Sequence, residues 1–142
     1  MDNRILRIID ANYNRAKEAF RVNEDILRFF YENKSLTAKF KLFRHKLTDI
    51  LKDKPFSLEM IQQRDSESDP GKAIDNLEIK RKDIPDTFYA NSQRIKESLR
   101  VLEEMLKLID KKIVGKIKKM RYNFYSLEKD AGKKVQNISA NR

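Results

Sequence analysis

Residues 11–30 read ANYNRAKEAFRVNEDILRFF, and residues 90–109 repeat the pattern as ANSQRIKESLRVLEEMLKLI. At a constant offset of 79 positions, nine of the 20 residues are identical, where chance predicts roughly one or two. The identical pairs are Ala11/Ala90, Asn12/Asn91, Arg15/Arg94, Lys17/Lys96, Glu18/Glu97, Arg21/Arg100, Val22/Val101, Glu24/Glu103 and Leu27/Leu106. An internal duplication therefore decides the fold.

The similarity continues after a shift of two residues. Residues 40–45, FKLFRH, align with residues 117–122, IKKMRY, and Ile50 then aligns with Leu127. Each repeat therefore contains one long helix and a second helix. This pattern predicts an all-α fold, a helical bundle of two αα-hairpins related by a pseudo-twofold rotation near 180°.

Helical spacing identifies the buried face of each long helix. At 100° per residue the apolar side chains of both copies fall on one arc, which is typical of an amphipathic helix. Asn12 and Asn91 project into the same arc, and a buried amide needs partners for both its carbonyl and its NH₂ group. The two asparagines are therefore candidates for a structural or binding role.

The charges that both copies share have two interpretations. In the first, Arg15 pairs with Glu18 and Glu24 with Arg28 along the helix surface, each pair contributing a few tenths of a kcal/mol. In the second, equivalent sets of asparagine and arginine line a cleft between the hairpins. Spacing alone favours the surface pairs, because most such pairs are solvated and weak.

Composition predicts one folded domain. The chain has 142 residues, 39% of them hydrophobic and 38% charged, which is long enough for a single core. It has no cysteine and one histidine, which excludes disulfides and argues against zinc. The sequence has no apolar run long enough to span a membrane and no signal-peptide pattern at its start, so a cytoplasmic location is expected.

The net charge of +10 favours anionic partners such as phosphorylated metabolites, nucleotides or nucleic acid. Nucleic acid is the less favoured class, because aromatic residues are not interleaved with the basic ones. A homo-oligomer is compatible with the sequence.

Breaks in the apolar pattern set the predicted elements. One helical domain covers 1–130, with repeat one at about 4–52, an irregular loop at 64–82 and repeat two at about 84–128; residues 131–142 form a polar tail. The first helix is expected to run to about Glu32, and Ser35 to cap a helix over 36–52. Residues 56–63 fit either a short helix or a short strand, and the helix is predicted. Asp86 or Thr87 is expected to cap a helix that ends near 109, and the last helix is predicted over 113–128.

The loop that follows residue 63 is the strongest candidate for chemistry. A loop this long in a compact domain is usually functional or disordered. Asp65, Glu67 and Asp69 alternate, a pattern that can present carboxylates to a hard cation. The EF-hand pattern fails because Pro70 stands where the turn glycine belongs, and phosphate-binding glycine motifs are absent. Mg²⁺ fits better, since it needs only one or two carboxylates beside phosphate oxygens; a solvated acidic loop is the alternative.

A second candidate is an arginine followed by a ring at matching places of the two repeats. Arg44 precedes His45, and Arg121 precedes Tyr122. A cation beside a planar ring suits a phosphate attached to a heterocycle. A lone histidine is more often a structural hydrogen-bonding group.

Five segments together resemble a known family. RIIDANYNRAKEAFRVNEDILRF, LFRHKL, RDSESDPG, YANSQRIKESLRVLEEMLKL and MRYNFYSLE are similar, in this order, to a helical domain often fused ahead of thiamine-phosphate synthase. That domain resembles the non-ribokinase type of hydroxymethylpyrimidine-phosphate kinase. The resemblance covers about residues 4–130. It implies transfer of the γ-phosphoryl group of ATP to hydroxymethylpyrimidine monophosphate in thiamine biosynthesis, with Mg²⁺ as the metal.

Roles within this resemblance follow from the chemistry of each side chain. Asp65, Glu67 and Asp69 are candidate metal ligands, and Arg64, Asp65 and Asp69 are candidate catalytic residues. The candidate substrate-binding residues are Asn12, Arg15, Arg44, His45, Asn91, Arg94 and Arg121. The competing hypothesis is a non-catalytic helical module that binds a nucleotide, a phosphorylated metabolite or nucleic acid.

Two departures from the family pattern affect these expectations. Asn23 occupies a position where a core leucine is usual, and the sequence stops where a synthase barrel would begin. The expectation is a free-standing kinase, with thiamine-phosphate synthase as a separate chain, or a paralogue that kept the fold and lost the activity.

Overall fold

The computed structural model describes residues 2–73 and 80–140, with side chains through residue 136. Within these ranges it contains helices and no β-strand, which confirms the all-α prediction. The helices are α1 (Asn3–Asp25), α2 (Lys34–Leu51), α3 (Ser57–Gln62), α4 (Ile84–Leu106) and α5 (Lys111–Ala140), and a π-helical segment (Ile26–Phe30) continues α1. Residues 74–79 of the predicted loop, and 141–142 of the predicted tail, lie outside the described residues. None of the described helices combines the length and apolar character that crossing a bilayer demands.

Asn33, and not Ser35, caps α2. The Asn33 side chain accepts a hydrogen bond from the Leu36 amide at 2.9 Å, and its carbonyl accepts one from the Thr37 hydroxyl at 2.7 Å. The helix consequently begins at Lys34, two residues before the predicted start. The Ser35 prediction is wrong because asparagine two positions earlier satisfies the free amides first.

Replacing Asn33 by alanine is expected to lower the free energy of unfolding by about 1 kcal/mol, the usual loss when a helix cap is removed. Ser35→Ala is the matched control and should change stability by only a few tenths of a kcal/mol, because Ser35 is an exposed residue inside the helix. Urea unfolding followed by circular dichroism measures both. Equal losses in the two variants would contradict the cap assignment.

The second hairpin also begins earlier than predicted. Asp83 caps α4 by accepting a hydrogen bond from the Asp86 amide at 2.9 Å, and Pro85 occupies the first turn. The Asp86 or Thr87 assignment is therefore wrong by three or four positions. Proline in the first turn removes only an amide that has no helical partner there.

The last helix extends beyond its predicted end. It runs from Lys111 to Ala140, so the prediction of a polar tail from residue 131 is wrong for the backbone of 131–140. Ala131 and Val135 are fully buried and continue, at intervals of four, the apolar face that includes Leu127. Their side chains are small and isolated in a polar stretch, which hides the helical periodicity.

The core lies between the two hairpins. The most extensive packing joins α1 to α4, while α2 packs on α1 and α5 on α4. Phe124 of α5 contacts Phe20 of α1 edge to face, with ring centroids 5.6 Å apart, and Phe40 of α2 at 5.8 Å. Aromatic pairs at these distances stabilise the fold by more than the burial of their surface alone. This cluster joins both repeats.

Asn23 of α1 forms a buried polar contact with α4. It is fully buried and its NH₂ group donates to the Phe88 carbonyl at 3.2 Å and to the Ser92 hydroxyl at 3.0 Å. The end of α1 therefore lies beside the start of α4, so the two helices are antiparallel. The asparagine that replaces the expected leucine thus forms a polar contact between the repeats.

Equivalent residues of the two repeats form equivalent contacts. The Asn12 amide donates to the Ile8 carbonyl and the Asn91 amide to the Thr87 carbonyl, both at 2.9 Å. In each case the NH₂ group of the buried side chain is hydrogen-bonded to a backbone carbonyl of its own helix. The rotation that relates the hairpins stays a prediction.

Candidate functional site

The loop after α3 is tied to the first half of α1. Arg64 donates from Nε and Nη2 to the two carboxylate oxygens of Asp10, at 2.8 and 2.7 Å. Arg7 reaches the Asp65 carbonyl through Nη2 at 3.4 Å. A bidentate arginine–carboxylate contact fixes both groups in orientation as well as in distance. Two arginines therefore hold this loop against the helix.

A cleft of about 330 Å³ opens between the loop and α1. We call it the Arg64 cleft; its lining residues are Arg7, Asp10, Ala11, Asn14, Glu18, Arg64, Asp65, Ser66 and Asp69. The lining of this cleft carries both positively and negatively charged side chains. Three residues that the sequence singles out as catalytic candidates, Arg64, Asp65 and Asp69, are thus brought together.

Arg64 keeps unused donors beside its ion pair. Only 6% of the Asp10 side chain is exposed, whereas 48% of the Arg64 side chain is. Hydrogen bonding to Asp10 raises the pKa of Arg64, so Arg64 keeps its positive charge. A guanidinium has five N–H donors and Asp10 takes two. The remaining edge is available to an anion such as a phosphate group.

The loop carboxylates have different immediate partners. Hydrogen bonds from Ser68, first from its side chain and then from its backbone amide, lower the pKa of the Asp65 carboxyl. Asp69 Oδ1 accepts from the Gly71 amide at 2.8 Å, and Glu67 pairs with Lys72 at 3.3 Å. The part of the chain that the structure describes contains no group of three histidine, cysteine or acidic side chains placed to hold a metal ion.

The paired asparagines and arginines of the repeats lie elsewhere. Asn12 and Asn91 are buried at 5% and 8% exposure, and Arg15 donates a hydrogen bond from Nη1 to Asn12 Oδ1 at 3.5 Å. Arg94 is exposed on α4. The lining of the Arg64 cleft includes none of the four. Their predicted role in substrate binding stays a prediction.

The two arginines of the second helices take part in internal ion pairs. Arg44 Nε lies 2.9 Å from Glu24 Oε1, and Arg121 pairs in the same way with Glu103. Both partner carboxylates are almost fully buried. The charges of Arg44 and Arg121 are therefore matched inside the protein, while His45 is exposed on α2.

The Arg64 cleft breaks the symmetry of the two repeats. In the first repeat α2 ends at Leu51, and α3 with the following loop covers the start of α1. In the second repeat α5 continues as a helix, and its residue Gly132 approaches the Tyr89 hydroxyl, which would lie 3.3 Å from an added Cβ atom. A helix therefore stands where the first repeat has its loop.

Sequence reasoning missed Asp10, Arg7 and Asn14 as cleft residues. Asp10 stands one position before the repeated stretch, and its equivalent in the second copy is Tyr89, so the repeat gives no signal for it. Its partner Arg64 is 54 residues away. The sequence signal that could have identified Asp10 is its position beside the apolar arc of α1. A carboxylate there becomes buried on folding and needs a partner.

The fold and this cleft define a class of protein: an all-α domain in which a loop and a helix form a small charged cleft. The chain belongs to the ThiD2 family, whose model matches residues 7–130. It is similar to the thiamine-phosphate synthase of Nostoc punctiforme, with 38% identity over 125 residues, covering 87% of this chain and 34% of that protein.

Two further relatives have the same name. The thiamine-phosphate synthase of Synechocystis sp. is 38% identical over 125 residues, 87% of this chain and 35% of that protein. That of Rhodopirellula baltica is 32% identical over 137 residues, 96% of this chain and 36% of that protein. The chain spans about a third of the length of these curated relatives. No solved structure matches it significantly.

Proposed function

We propose that this chain transfers the γ-phosphoryl group of ATP to hydroxymethylpyrimidine monophosphate, forming the diphosphate used in thiamine biosynthesis. The observation that supports this most is the Arg64 cleft, where Arg64, Asp65 and Asp69 of the RDSESDPG segment converge. Membership of the ThiD2 family and similarity to thiamine-phosphate synthases support the pathway. A thiamine-phosphate synthase would consume the product.

Phosphoryl transfer depends on positioning and on neutralising charge. Arg64 is held by Asp10 with its remaining N–H edge open, so it can bind a phosphate without reorganising. Preorganised charge of this kind lowers the barrier because the protein does not need to rearrange as the reaction proceeds. Arg7, which lines the same cleft, adds a second positive charge.

A magnesium ion coordinated by both the protein and the nucleotide fits this cleft. Mg²⁺ retains several waters and is commonly held by one or two carboxylates together with substrate phosphates. Asp65 and Asp69 line the cleft and are exposed, so they would hold the metal there. The ion would supply charge neutralisation at the transferred phosphoryl group.

The direct test incubates the purified chain with ATP, Mg²⁺ and hydroxymethylpyrimidine monophosphate. We expect ADP and the pyrimidine diphosphate in equal amounts, and none of either with EDTA. Unphosphorylated hydroxymethylpyrimidine and cytidine monophosphate serve as control acceptors. If the chain bound the pyrimidine phosphate but showed no turnover with either Mg²⁺ or Mn²⁺, the kinase proposal would be overturned in favour of a non-catalytic binding module.

A further inference from the structure

A second cavity lies away from the Arg64 cleft, in the groove between α2 and α5. It has a volume of about 330 Å³. Its apolar surface comes from Phe43, Ile50 and Met120, and its rim carries Lys46, Lys116 and Lys119. Phe43 and Met120 occupy matching positions of the two repeats, so both hairpins contribute to the floor.

The floor of this groove packs directly on the aromatic core. The Phe43 ring lies 6.0 Å from the buried ring of Phe20 and 6.3 Å from that of Phe124, centroid to centroid. Met120 is only 5% exposed. The groove therefore presents a preformed apolar surface anchored in the aromatic core, which is the usual base of a small-molecule site.

The rim of the groove has an excess of positive charge. Among the described residues, none of Lys46, Lys116 and Lys119 forms an ion pair, and all three are exposed. The one carboxylate of the lining, Asp49, pairs with Lys52 at 3.1 Å. A cleft lined mainly by one sign of charge concentrates ions of the opposite sign.

We propose that this groove binds a nucleotide, with its flat heterocycle on the apolar floor and its phosphates at the lysines. Both features are needed for this assignment. Inorganic phosphate would use the lysines and leave the floor exposed, whereas a neutral apolar ligand would cover the floor and leave three positive charges unmatched. A phosphorylated heterocycle satisfies both surfaces.

This site is separate from the Arg64 cleft. At 100° per residue, Arg7, Ala11 and Glu18 project from the side of α1 away from Phe20, the residue that supports the groove floor. The α1 helix therefore stands between the two cavities. A nucleotide in the groove would not donate its phosphoryl group to a substrate in the Arg64 cleft of the same chain, so its role would be regulatory. The inference is independent of the kinase proposal.

The test measures binding of the fluorescent analogue trinitrophenyl-ATP to the full chain in EDTA, which excludes metal-dependent binding at the Arg64 cleft. We expect saturable binding that unlabelled ATP displaces and that inorganic phosphate at the same concentration does not. Displacement by laurate with none by ATP would overturn the nucleotide assignment, since it would show a site for fatty anions.

Two variants locate the binding site. Lys116→Gln/Lys119→Gln should weaken binding about tenfold or more, because charge-assisted contacts to phosphate are lost. Asn123→Trp, an exposed residue of the lining, should block the groove while keeping its charge.

Lys111→Gln/Lys112→Gln removes the same charge from exposed positions of the same helix and should leave affinity unchanged. Equal weakening by the two lysine pairs, or full binding in Asn123→Trp, would overturn the site. Because the readout needs no turnover, these outcomes are distinct from failure of the kinase assay.

Discussion

Asp69→Asn is expected to lower metal-dependent turnover of hydroxymethylpyrimidine monophosphate by about 10²–10³-fold, the usual effect of removing one preorganised electrostatic group. The Asp69 carboxylate lines the Arg64 cleft, and its Oδ1 accepts from the Gly71 amide at 2.8 Å. An asparagine keeps that acceptor, so the loop turn survives while the negative charge is lost. The change therefore isolates the contribution of charge. Turnover is measured as ADP release at saturating ATP and Mg²⁺.

Stability should hardly change in this variant, because Asp69 is exposed; a shift within about 0.5 kcal/mol is expected. Asp130→Asn, the same chemical change on the exposed face of α5, is the matched control and should retain full activity. Undiminished turnover in Asp69→Asn would remove this residue from the metal assignment. A large loss of thermal stability would instead show that the loop turn needs the charge.

The fold could be predicted from the sequence where the signal was repeated and local. Apolar residues at helical spacing, present in both copies, identified α1, α2, α4 and α5, and the short helix predicted within 56–63 is α3 (Ser57–Gln62). Helix ends were less accurate. Asn33 and Asp83 cap their helices, yet a nearby serine, aspartate or threonine has nearly the same intrinsic preference, so tertiary packing decides between them.

Repeated charges illustrate the limit of local reasoning. The sequence suggested either pairs along one helix, such as Glu24 with Arg28, or a cleft between hairpins. The structure pairs Glu24 with Arg44 across the hairpin, a third arrangement that spacing within one helix cannot reveal. Arg21 and Asp25, four positions apart on α1, do form a surface pair at 3.4 Å.

The candidate site was predictable only on its loop side. The acidic residues, Pro70 and Gly71 marked residues 64–72 as unusual in a helical protein. The helix side depends on Asp10, which meets Arg64 only after α1 and α3 have packed. Contacts between residues 54 positions apart depend on tertiary geometry, and neither spacing nor repeat similarity carries that information.

Glu103→Leu is expected to lower the free energy of unfolding by about 3–5 kcal/mol, because it leaves a buried arginine without its counter-charge. Arg121 and Glu103 pair between α5 and α4, with only 9% and 5% of their side chains exposed. Arginine keeps its proton in proteins at any ordinary pH, so the guanidinium cannot escape the penalty by losing its charge when Glu103 is removed. The hydrogen bond from Nη1 to the Tyr125 hydroxyl at 3.3 Å and the Tyr122 ring, whose centroid lies 4.9 Å from Cζ, are contacts to neutral groups.

The double variant Glu103→Leu/Arg121→Met separates the value of the pair from the cost of an unpaired charge. Replacing both partners by apolar residues of similar size is often neutral or stabilising, so most of the loss should be recovered. Glu104→Leu is the control, since Glu104 forms exposed pairs with Arg100 and Lys107 that contribute about 0–1 kcal/mol. Urea unfolding of the wild type, Glu103→Leu, Arg121→Met and the double variant gives the coupling energy. If the double variant were as unstable as Glu103→Leu, the loss would reflect packing around residue 103 and not an uncompensated charge.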